Sequence, residues 1–73
     1  DMNDKTEILP ALIDYYTKRS ISAVEQLDTI LHQNPYNKHA YKLLCQIYRE
    51  KHHENLLNAT IRKYGKTAGD IED

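Results

Sequence analysis

Four histidines and one cysteine are the residues of this 73-residue chain best suited to hold a metal or to act as nucleophiles. A helical metal site places two ligands at i and i+4, one turn apart on one face. His32, His39, His52 and His53 offer no such pair, and Cys45 precedes His52 by about two helical turns. His52 and His53 are adjacent and point apart, so the pattern predicts solvated histidines, no metal and no cofactor. Cys45 falls inside an apolar arc, where a thiol stays protonated and inert. The chain carries no glycine-rich phosphate loop, no paired-carboxylate arrangement and no Ser/His/Asp set, and no enzyme activity is expected from it.

The polar pattern with the most chemical content is His39, Lys42, Gln46 and Arg49. Lys42, Gln46 and Arg49 recur at i, i+4, i+7 and so share one helix face, from which they can offer charge-assisted hydrogen bonds to an acidic peptide or a terminal carboxylate. The bland reading is a solvated helix face. Six tyrosines could serve as a base-stacking platform. Tyr41, Tyr48 and Tyr64, however, fall at core spacing, while Tyr36 beside Pro35 is expected in an exposed loop.

These residues must be positioned by helices. Asn34-Pro35-Tyr36-Asn37 is the joint of the chain: Pro35 turns Asn34 away from helical angles, and Asn37 can cap the helix that follows. That helix runs to about Lys51, with Tyr41, Leu44, Cys45 and Tyr48 at i, i+3, i+4, i+7 and Ala40, Leu43 and Ile47 widening the arc. Upstream, Ile8, Leu9, Leu12, Ile13, Tyr15 and Tyr16 predict a first helix beginning between about Lys5 and Leu9, capped by Thr6 or Asp4, with Pro10 tolerated near its first turn. Ser22-Ala23-Val24-Glu25 has the form of a capping box opening a second helix, which buries Ala23, Val24, Leu27, Ile30 and Leu31. After a break at His52-His53-Glu54, a fourth helix presents Leu56, Leu57, Thr60, Ile61 and Tyr64 and stops at Gly65 in a left-handed cap. The expected fold is all-α, four helices in two antiparallel hairpins at about 5–34 and 37–65, followed by a mobile acidic tail, 66–73.

Net charge is −1 but unevenly laid out. Residues 1–37 carry three Lys/Arg against six Asp/Glu, residues 38–69 carry seven against two, and the last four residues carry three acids. A basic middle between acidic ends can attract anions locally, yet the total supplies little of the phosphate-neutralising charge of a nucleic-acid domain. No apolar run approaches the roughly 20 residues of a membrane span. A single cysteine excludes an internal disulfide and favours a reducing, cytoplasmic setting. The start Asp1-Met2-Asn3 looks excised from a longer product.

The two halves are helix-turn-helix units of similar length, and here the chain resembles the tetratricopeptide repeat family. Tyr41, Leu44, Cys45 and Tyr48 match the first-helix spacing of that family, and Ala11, Ala23, Leu27, Ile30 and Pro35 match other positions of the repeat. Pro10 stands where the family has Leu, Tyr15 comes one residue late as if the first turn were shorter, and His52 replaces the glycine expected between the last two helices. Tyr64 and Gly69 replace the closing small residue and proline. The resemblance implies a right-handed superhelical stack and a non-catalytic protein-interaction module or scaffold whose polar third-helix face lines a groove for a peptide partner. A looser resemblance, to the helical domain of bacterial transcriptional activators, implies an effector or oligomerisation domain instead. A small nucleic-acid-binding domain is the remotest alternative.

Stacked repeats generally need about three units before their core is stable. With two units, the outer apolar arcs Leu9, Ile13, Tyr16 and Leu57, Ile61, Tyr64 are expected to form an association surface for neighbouring helices or for a second copy in a homodimer.

Overall fold

A computed structural model describes residues 2–69, and these form helices joined by short turns, with no strand among them. The order is α1 (Met2–Glu7), α2 (Leu9–Tyr16), α3 (Ser20–Gln33), α4 (Lys38–Glu50), α5 (Glu54–Tyr64) and a π-helical turn, Gly65–Gly69. Each helix from α2 to α5 packs on its neighbour in sequence, and the π-helical turn packs on both α4 and α5.

The expected first helix is two helices. Pro10 lacks an N–H and its ring crowds the carbonyl four residues back, so α1 cannot run through it. The chain breaks at Ile8 and restarts with Pro10 inside the first turn of α2. Neither expected cap operates there: Ile8 occupies the capping position without a side-chain bond, and Asp4 lies within α1.

The core is built from Ile8, Ala11, Ala23, Leu27, Leu31, Ala40, Leu43, Leu44, Ile47, Tyr48 and Tyr64. Ala11, Ala23 and Ala40 have no exposed surface, and their small side chains let α2, α3 and α4 approach closely. Leu27, Leu31, Leu44 and Ile47 are the largest apolar side chains fully enclosed, and truncating any one to Ala is expected to cost about 2–5 kcal/mol. Ile8, at the break before α2, is buried, and on α2 itself the buried face is Ala11 and part of Leu12 and Tyr15, while Leu9, Ile13 and Tyr16 stay exposed.

Asn37 clamps the joint. Its side-chain oxygen accepts from the Ala40 N–H at 3.0 Å, the predicted cap of α4, and its amide donates to the Asp4 carbonyl at 3.2 Å and to Glu7 Oε1 at 2.9 Å. Asn34 adds a bond to Asp4 Oδ1 at 3.1 Å. The short α1 is thereby docked onto the turn between α3 and α4. From the other side, the Thr67 hydroxyl donates to the Pro35 carbonyl at 2.8 Å.

Three local expectations are overturned. The capping box at Ser22 and Glu25 does not form, because α3 begins at Ser20 after Arg19, and Ser22 donates to Asp14 Oδ2 at 2.7 Å across to α2. Gly65 is right-handed (φ −57°, ψ −39°), so the helix continues as a wider turn that buries Ala68. Helical structure therefore runs past 65 to Gly69, where a side chain would meet the Tyr41 ring at 2.8 Å. The acidic residues 70–73 of the expected tail lie outside the described residues. Third, Tyr64 does not belong to an outer surface: it is 5% exposed and shares the core cluster with Ala40, Leu43, Leu44 and Ile47 of α4.

Candidate functional site

The left-handed residues are Lys18 (φ 68°) and His52 (φ 60°), and they stand at the same place in two equivalent turns. After α2, the Lys18 N–H bonds to the Tyr15 carbonyl at 3.2 Å and the Arg19 N–H to the Asp14 carbonyl at 2.7 Å. After α4, the His52 N–H bonds to the Arg49 carbonyl at 3.2 Å and the His53 N–H to the Tyr48 carbonyl at 2.9 Å. Each is the helix ending in which one left-handed residue lets its own amide and the next one satisfy carbonyls that the helix leaves open. Glycine is the usual occupant, and here lysine and histidine take its place. The first turn is not shorter, as the position of Tyr15 implied. Asp14, not Tyr15, is the counterpart of Tyr48, and its carboxylate is used to hold Ser22 and Gln26 on α3.

The two turns lie side by side and bound an open groove of about 800 Å³. Its apolar wall is Ile21 and Val24 from α3, Ile47 and Tyr48 from α4 and Leu56 from α5. Ile21 and Leu56 are 80% and 49% exposed. Lys18, Arg19, Lys51 and His53 form the rim, against one acid, Glu25. The His53 ring meets Tyr48 edge-on with centroids 6.4 Å apart, which joins the second turn to the floor. Burial, with the Asp28 carboxylate second, pushes the Tyr48 hydroxyl pKa up. The opening amides of α3 receive no side-chain cap, so the positive end of that helix adds to the rim's potential.

The polar face expected from the sequence is on α4. Lys42, Gln46 and Arg49 are exposed and His39 is half-buried. Gln46 is already engaged: its amide donates to the Tyr15 hydroxyl at 2.9 Å and to Glu50 Oε2 at 3.2 Å. The same hydroxyl donates to the Glu50 carboxylate, 2.9 Å from Oε2 and 3.0 Å from Oε1. This triad ties α2 to α4, and the hydrogen bond to Glu50 raises the Tyr15 pKa above all because ionising the hydroxyl would break it beside an anion. Both amide hydrogens of Gln46 are spent, and Glu50 puts a negative charge beside Arg49. At the other end, burial first and then Lys5 and Lys38 push the His39 pKa down, favouring a neutral ring. The face thus keeps Lys42 and Arg49 as cations but lacks the continuous donor row its spacing predicted.

Of the expected association surface, Leu9, Ile13 and Tyr16 are exposed on α2 at one-turn intervals and Ile61 is exposed on α5. Leu57 packs partly into the core and Tyr64 fully, so the α5 arc is narrower than predicted. Cys45 is buried, and burial pushes its pKa up, leaving little thiolate. Among the described residues, no three His, Cys, Asp or Glu side chains come together to hold a metal ion, and no helix is long and apolar enough to cross a membrane.

The groove is not legible in the amino-acid sequence. The turn before Ser22 and the break at His52-His53-Glu54 were legible, but nothing local says that turns so far apart in sequence become neighbours. No known protein-family model, curated protein or solved structure matches the chain.

Proposed function

We propose that this chain is a non-catalytic protein-interaction module that binds an acidic peptide segment of a protein partner. In this reading α2 and α3 form one antiparallel hairpin and α4 and α5 a second, stacked on it in the manner of tetratricopeptide repeats. The observation that carries it is the recurrence of one turn geometry at Lys18 and His52, 34 residues apart, against a tetratricopeptide period of about 34 residues. Such units present side chains along a shared surface and bind segments of other proteins. The buried, weakly acidic Cys45 thiol supports a role without covalent chemistry.

The experiment is selection from a phage-displayed random peptide library on the immobilised 73-residue chain. Enrichment of peptides rich in Asp and Glu, bound saturably and more weakly as salt rises, is the expected result. A library that yields no saturable binder refutes the proposal. Replacing Lys42 and Arg49 together by Ala then measures how much of the binding uses the α4 face. Both groups are exposed, so the fold is expected to survive and the loss to stay within about 2 kcal/mol.

A further inference from the structure

We infer that the groove between the two turns is a docking site for an acidic segment carrying large aliphatic side chains, supplied by another protein. The inference rests on the peptide-binding reading above and names a surface that the sequence did not. Charge complementarity selects the ligand. Lys18, Arg19, Lys51 and His53 line one opening against Glu25, and no hydrogen bond or ion pair within the described residues engages the side chains of Lys18, Arg19 or Lys51. Between them lie Ile21 and Leu56, exposed apolar groups that a bound aliphatic side chain would cover. Nucleic acid fits less well. Single strands are held by successive stacked aromatics, and this floor is aliphatic except for Tyr48.

The left-handed turns allow a test in which loss of binding cannot be mistaken for loss of folding. Lys18→Gly removes a rim cation and also relieves the cost of a side chain at positive φ, so it is expected to raise the thermal midpoint while weakening binding. His52→Gly relieves the same conformation outside the groove lining, and it is expected to raise the midpoint with binding unchanged.

The probe is a fluorescein-labelled peptide of alternating acid pairs and leucines, followed by anisotropy with the intact chain. Companion peptides have serine for every leucine or lysine for every acid. The parent peptide is expected to bind and both companions to fail. Lys18→Gly and Lys51→Ala are each expected to weaken binding about two- to fivefold, the range of an exposed ion pair. Amide chemical-shift changes are expected at Arg19–Val24 and Ile47–Leu56. Shifts confined to the outer face of α4 around Lys42 and Arg49, with both variants binding as wild type, overturn the groove and leave the peptide-binding module standing. Absence of binding by both the parent peptide and the library overturns both. Tighter binding of oligothymidylate than of the peptide, at the same residues, overturns the choice of a protein segment.

Discussion

Asn37→Ala tests whether one buried amide organises the fold. Asn37 has no exposed surface and makes three bonds in different directions: it accepts from Ala40, and it donates to the Asp4 carbonyl and to Glu7. Losing the cap costs about 1 kcal/mol. Losing the two donors costs about 1–2 kcal/mol, at the low end because Glu7 is exposed and water can replace the bond to its carboxylate. The expected sum is about 2–3 kcal/mol. A chain of this size has roughly 4–11 kcal/mol in total. Each kcal/mol moves the midpoint of a small domain by about 4–8 °C, so a fall of roughly 10–20 °C is expected. Asn37→Ser separates the two contributions, since its hydroxyl still accepts from Ala40 but is too short to hold α1. It should lie about 1 kcal/mol above the alanine variant in urea denaturation followed by circular dichroism. Ala and Ser variants of equal stability would show that the cap contributes nothing. An alanine variant within about 0.5 kcal/mol of wild type would refute the whole account of the joint.

Three further outcomes are expected. The Tyr64 hydroxyl is buried with no hydrogen-bond partner among the described residues, so Tyr64→Phe should stabilise the chain by about 1 kcal/mol; destabilisation in urea would mean that the hydroxyl is satisfied. Because the folded pKa of His39 lies below its ordinary value of 6.5, the folded state takes up a proton less readily than the unfolded chain, so stability should be level above about pH 7 and fall as pH drops through that value. His39→Gln should flatten that part of the urea-midpoint profile, and an unaltered slope would assign it to other groups. If a second copy covers Leu9, Ile13 and Tyr16, which are 51%, 63% and 73% exposed, the thermal midpoint should rise with protein concentration; a concentration-independent midpoint together with a monomer in sedimentation counts against self-association.

Much of the helical content was legible because it is encoded locally. The i, i+3, i+4, i+7 spacing of Tyr41, Leu44, Cys45 and Tyr48 needs only the 3.6-residue period to predict α4, and Asn34-Pro35 needs only proline sterics to end α3. Asn37 as cap is likewise a contact across three residues. Pro10 was read as compatible with one helix, but the sequence around it could not say that the residues before it would fold as a separate α1 docked onto Asn34 and Asn37.

The amino-acid order by itself determined the all-helical character, the main breaks and the apolar arcs, since these follow from propensity, capping and periodicity within about one turn of each residue. Tertiary structure decided which flank of each arc is covered. Tyr64 is enclosed in the core, and the chain runs on from it into a π-helical turn that Gly65 gave no sign of, while Leu9, Ile13 and Tyr16 on an equally apolar helix stay open. It decided the fate of Gln46, whose donors are taken by Tyr15 and Glu50, one partner coming from a different helix. It also decided the groove, because Lys18 and His52 adopt left-handed angles only where helix packing compensates their cost, and the same packing brings the two basic turns together.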